Sequence, residues 1–155
     1  MKTIVAIWNR AGKGKSDSIK EFAKLLLEAY PIYPGTLSPI KAKGDFSTII
    51  EINGKKIGIE SQGDPGTKLS ERLQNLVSNN CDLIICSTRT SGETANAVID
   101  IAKRKKYQII WTSTYEIDDA AQHHCMNKLK GKHILDLLLS LNVLEFNTSR
   151  IHPIK

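Results

Sequence analysis

Residues 3–16 read Thr3-Ile4-Val5-Ala6-Ile7-Trp8-Asn9-Arg10-Ala11-Gly12-Lys13-Gly14-Lys15-Ser16. The first six are a short apolar run without alternation, the pattern of a parallel strand buried on both faces. The next eight carry two glycines and three cations, so the strand ends in a tight basic turn. From Ser16 the period changes: Ile19, Phe22, Ala23, Leu26, Leu27 and Tyr30 fall on one helical face, and Pro31 predicts the end of that helix. Strand, glycine turn and helix in this order place a helix N-terminus and its unsatisfied amides directly after a central strand, a geometry suited to phosphate.

The same logic extends along the chain. Pro31, Pro34, Gly35 and Pro39 predict a long loop over residues 31–45. Ser47 to Ile52 and Ile57 to Glu60 are β-branched runs around Asn53-Gly54, a strong hairpin turn signal. Leu69, Leu73, Leu76 and Val77 mark a helix, Cys81 to Ser87 a buried strand, and Ala95, Val98, Ile99 and Ala102 a third helix. Tyr107 to Thr112 reads as a fifth strand, and a last helical region covers Ile117 to Leu141, with Gly131 as a possible break and Cys125 and Leu129 facing inward. The expectation is one domain over residues 1–155: a three-layer α/β/α sandwich on a mostly parallel five-stranded sheet, with one antiparallel hairpin strand. In such sheets ligands lie beyond the carboxyl ends of the strands, which singles out the loops after Trp8, Glu60, Ser87 and Thr112.

Composition narrows the function. Nothing approaches the apolar length of a membrane helix and no signal-peptide pattern opens the chain, so a cytoplasmic protein without a membrane partner is expected. Cys81, Cys86 and Cys125 are neither an even set nor a CxxC pair, which predicts reduced thiols. Lys plus Arg is 22 against 16 Asp plus Glu, a net charge of +6 that favours an anionic partner. Aromatics are only 6%, too few for a base-stacking platform, so nucleic acid is the less favoured anion.

Residues 9–16, N-R-A-G-K-G-K-S, resemble the Walker A motif G-x-x-x-x-G-K-[ST] of P-loop NTPases, with Asn9 in place of the first glycine. Asn visits left-handed backbone more readily than most residues, which makes the replacement tolerable. The resemblance implies that Asn9, Ala11, Gly12, Lys13, Gly14, Lys15, Ser16 and Asp17 cradle polyphosphate, with Lys15 reaching the β and γ phosphates and Ser16 holding Mg²⁺. It also implies an acid near the magnesium, for which Glu60 and Asp64 compete. Glu60-Ser61-Gln62-Gly63 is similar to the D-x-x-G switch of Ras-like GTPases with Glu for Asp. The fourth strand leads into Cys86-Ser87-Thr88-Arg89-Thr90-Ser91-Gly92-Glu93-Thr94 and not into a guanine-reading N-K-x-D, so ATP is expected by elimination. Arg89 is placed to bind a phosphate, and Thr90 or Ser91 to cap the following helix.

These readings converge on Mg-dependent ATP binding, by an ATPase or kinase-like phosphotransferase of unknown acceptor that uses Lys15, Asp64, Glu60 and Arg89. A non-hydrolysing nucleotide sensor acting through a protein partner, and a basic nucleic-acid-binding protein, are the alternatives. His123, His124, Cys125 and His133 lack the spacing of a metal-binding helix and read as exposed. The cations at 103–106 read as a solvated helix end.

Overall fold

The computed structural model describes residues 1–30 and 44–140. The elements run β1 (Thr3–Trp8), α1 (Lys15–Ala29), β2 (Ser47–Ile52), β3 (Lys55–Glu60), α2 (Leu69–Ser78), β4 (Leu83–Thr88), α3 (Glu93–Lys105), β5 (Gln108–Ser113), a 3-10 turn at Ala120–Gln122 and α4 (His123–Ser140). The strands form one sheet in the order β2-β3-β4-β1-β5. β3, β4, β1 and β5 are mutually parallel, and β2 is antiparallel to β3. Asn53 and Gly54 both take positive φ (50° and 79°), the geometry that lets a two-residue turn follow the twist of its strands.

Strand alternation sorts the core into two layers. Val5, Ile7, Ile57, Ile59, Leu83 and Ile85 pack with Ile19, Phe22, Ala23 and Leu26 of α1 and with Ile134 and Leu138 of α4. Ile4, Ala6, Ile84 and Cys86 face Leu69, Leu73 and Leu76 of α2 and Val98, Ile101 and Ala102 of α3. Helices therefore cover both faces of a mixed five-stranded sheet, as the alternation of strand and helix patterns implies.

Two inward faces differ from expectation. On α3 it is Ile101 that is buried, while Ile99 is 49% exposed. On α4 Cys125 is exposed and Leu129 is 38% exposed, whereas Lys130, Gly131, Ile134 and Leu138 form the buried stripe. Gly131 does not break the helix. Its missing side chain lets α4 approach α1 closely, since a Cβ there would lie 2.7 Å from the Phe22 amide nitrogen. Most of the predicted loop at 31–45, and Leu141, lie outside the described residues. Among the described residues the three cysteines are unpaired, and no helix is long and apolar enough to cross a membrane.

Candidate phosphate-binding site

The turn between β1 and α1 sits at the carboxyl end of the central parallel strands. Gly12 (φ 70°) and Gly14 (φ 79°) take the left-handed conformations that curl it, and α1 starts at Lys15 with no side-chain cap on Gly14. Neither Ser16 nor Asp17 caps the helix. Among the described residues none of the backbone amides of Ala11 through Asp17 makes a well-formed hydrogen bond, although the turn at Ala11-Gly12 brings the Lys13 amide toward the Arg10 carbonyl, whereas the Ser18 amide closes the first helical bond onto the Gly14 carbonyl at 2.9 Å. Lys15 is only 7% exposed, and its Nζ donates to the Asn9 carbonyl at 2.7 Å, bridging the two ends of the turn. Burial pulls the Lys15 ammonium below the ordinary lysine value; the nearby Asp64 charge opposes that shift and Arg89 reinforces it.

Asn9 does not use left-handed geometry, so backbone leniency is not what it contributes. It is a staple. Its Oδ1 accepts the Arg10 amide at 2.7 Å, its Nδ2 donates to Thr114 Oγ1 at 2.8 Å, and its own amide donates to the Thr88 carbonyl at 3.2 Å. Thr114 in turn donates to the Lys13 carbonyl at 2.6 Å, which ties the turn to the end of β5. From the far side Asn127 of α4 closes on Gly14, where a Cβ would fall 2.3 Å from its Oδ1.

The acids divide by strand alternation. Ile59 belongs to the layer with α1, so Glu60 turns toward α2, where it is 1% exposed and paired with Arg72 Nη1 at 2.8 Å and with the Ser47 hydroxyl. Burial raises its carboxyl above the usual range, against the opposing pull of Ser47 and Arg72. Ser61, one residue on, faces back toward α1, and its carbonyl accepts from Ser16 Oγ at 3.0 Å and from Ser87 Oγ at 2.7 Å. Reciprocal bonds between Phe46 and Ser61 extend the hairpin by one step and bring Asp45 beside Ser16. Asp45 Oδ1 meets the Ser16 hydroxyl and accepts from Ser61 Oγ at 3.1 Å. The acid that touches Ser16 is therefore Asp45, which sequence reading missed.

Asp64 and Arg89 are brought together as an ion pair of 2.9 Å, both partly exposed, at the ends of neighbouring parallel strands. Arg72 orders the approach to Asp64 by donating to the Gln62 carbonyl at 3.0 Å and the Thr67 carbonyl at 3.1 Å. Gly63 allows this loop to cross the end of β4, because a Cβ there would lie 2.1 Å from the Ser87 carbonyl oxygen. Gly92, not Thr90 or Ser91, occupies the N-cap of α3, and Thr94 Oγ1 accepts the Arg89 amide at 2.9 Å. No cluster of three or more His, Cys, Asp or Glu exists among the described residues; His123 bonds to the Ile117 carbonyl and His133 to the Tyr115 hydroxyl.

The residues missed, Asp45, Ser61, Thr114 and Asn127, come from four separate segments; only Ser61 lies within a stretch that sequence singles out, Glu60-Ser61-Gln62-Gly63, and there it is a variable position. Comparisons with protein-family models, with curated proteins and with solved structures returned no match.

Proposed function

We propose that the chain binds a nucleoside triphosphate, ATP by preference, together with Mg²⁺ in the turn Asn9–Ser16, and transfers its γ-phosphoryl group to water or to a second substrate. The observation that carries this reading is the run of amides from Ala11 to Asp17 that, among the described residues, lack a well-formed hydrogen bond, beside a buried Lys15. Consecutive amides at a helix N-terminus are what a polyphosphate satisfies, and the buried lysine supplies positive charge where the β and γ phosphates would lie. Ser16 Oγ, Asp45 and the Ser61 oxygens form an all-oxygen donor set with one carboxylate, which suits magnesium, an ion that keeps waters and phosphates in its shell. Asp64 is the acid available to orient a nucleophile, and Arg89 the cation available for developing phosphoryl charge.

Titration calorimetry of the wild type and Lys15→Ala with MgATP, MgGTP and a dinucleotide tests the proposal. Lys15→Ala should weaken MgATP about tenfold or more, the loss expected for one charge-assisted hydrogen bond to phosphate. A chelator should lower wild-type affinity. No binding of any nucleotide by a folded wild type would overturn the reading; binding without phosphate release would exclude transfer to water and leave transfer to a second substrate or a nucleotide sensor.

A further inference from the structure

The amino ends of the parallel strands, opposite the phosphate turn, form a second surface of marked charge. β3, β4, β1 and β5 are tied together there by the amides of Asp82, Thr3 and Gln108, which donate to the carbonyls of Lys56, Asp82 and Lys2 at 2.8 to 3.0 Å. With about 4.8 Å between strands this row spans roughly 14 Å. α3 ends at the same rim: Lys103, Arg104 and Lys105 fill its last turn, Lys106 is its C-cap, all four are exposed, and Tyr107 leads straight into β5. Lys2, Lys55, Lys56 and residues 103–106 thus meet on one end of the molecule, from the start of β1, from β3 and from the end of α3. Their carboxylate neighbours are fewer: Asp82 accepts the Lys56 amide at 3.0 Å, Asp100 pairs with Arg104 at 3.0 Å, and Glu51 stands opposite Lys56 on β2.

A solvated helix end explains only part of this. The helix dipole rewards cations in the last turn of α3 by at most about 1 kcal/mol each, and it says nothing of Lys2, Lys55 and Lys56, which lie outside that helix. Lys2 Nζ lies 5.7 Å over the Tyr107 ring, and Lys56 Nζ donates to the Asn79 carbonyl at 3.3 Å. Lys106 takes φ 59°, a left-handed cap where glycine is relaxed and a lysine costs about 1 kcal/mol.

We propose that this rim binds the phosphate backbone of duplex DNA without reading its sequence. Lysines spread over a row act as point charges for successive phosphates. Among the described residues the aromatic at the rim is Tyr107, which is buried and so offers no face for single-stranded bases to stack on. The proposal does not depend on nucleotide binding, since the turn Asn9–Ser16 lies at the other end of the strands.

Fluorescence anisotropy with a labelled random-sequence duplex, at several salt concentrations, tests it on the whole chain. Wild-type log K should fall linearly with log salt. Lys103→Glu/Lys105→Glu should weaken binding by about tenfold or more and reduce the salt slope by roughly 2. Lys128→Glu/Lys132→Glu makes the same change in net charge on exposed positions of α4 and should retain most of the affinity. Equal losses in both variants would show that bulk charge alone is responsible and would overturn the proposal. So would preference for single-stranded DNA, duplex RNA or anionic vesicles over the DNA duplex. Unchanged thermal melting of both variants excludes misfolding as the cause.

Discussion

Gly63 stands where two loops of the candidate site must cross, and it gives a sharp test of the crossing. Adding a methyl group there meets backbone, the Ser87 carbonyl at 2.1 Å, which cannot rotate away. Gly63→Ala should therefore cost about 2 to 4 kcal/mol in urea unfolding. Gly12→Ala meets nothing within 4 Å and carries only the left-handed penalty of about 1 kcal/mol. Equal costs would mean that the two loops are not held together. Glu60 offers a residue-scale test of a different kind. Because burial raises its folded carboxyl above the ordinary value near 4.5, the folded state holds more protons than the unfolded one from that value upward through the raised value. Over that window Glu60 makes stability fall as pH rises, and its charged-state penalty persists at neutral pH. Glu60→Gln should flatten this part of the stability profile, because the neutral amide does not titrate. A wild-type slope that the substitution leaves intact would show that the titrating group lies elsewhere.

Among the elements, the packing of α4 on α1 is what seats the turn between β1 and α1, because Asn127 of α4 reaches Gly14 and Gly131 lets the two helices touch. Gly131→Ala should raise the intrinsic helix preference of α4 by about 1 kcal/mol and yet destabilise the protein by about 1 to 3 kcal/mol net, since the new Cβ would sit 2.7 Å from the Phe22 nitrogen. Thermal denaturation of the pair decides the sign. This contact also shows what was readable in the chain and what was not. Period-3.6 spacing located α1 and α2, and the Asn53-Gly54 turn located the hairpin, because in each case the cause is local. The buried stripe of α4 was misread because it contains Lys130 and Gly131, residues that look like surface and punctuation. Lys130 is tolerated inside because its Nζ donates to Thr112 Oγ1 at 2.5 Å and lies 5.2 Å over the Tyr115 ring, contacts made across the fold. The glycine turn between β1 and α1 was legible for the same local reason as α1. Asp45 was not, because only the pairing of Phe46 with Ser61 carries it to Ser16. Glu60, the acid chosen from sequence for the strand end, is directed to α2 by the period of two that every strand obeys.

Taken as a whole molecule, the sheet separates its two polar ends, amides and Lys15 at the carboxyl end and a lysine rim at the amino end, with the two apolar layers between. This arrangement makes ligand binding readable as global stability. A ligand that satisfies the amides of Ala11 to Asp17 binds the folded chain alone, because the unfolded chain has no turn, so it must raise the free energy of unfolding by RT ln(1 + [L]/Kd). At a MgATP concentration about a hundred times Kd the gain is about 2.7 kcal/mol, which for a domain of this size is a rise in Tm of roughly 5 to 10 °C. The rise should shrink when a chelator removes magnesium, because the oxygen set at Ser16, Asp45 and Ser61 then has no cation to share with the phosphates. Asp45→Asn should reduce the magnesium-dependent part of the shift, whereas Glu60→Gln, turned toward α2, should leave that part nearly intact. The reverse ranking, with Glu60 controlling the magnesium response and Asp45 silent, would mean that the metal approaches from the face of α2, and the site built on Ser16 would have to be abandoned.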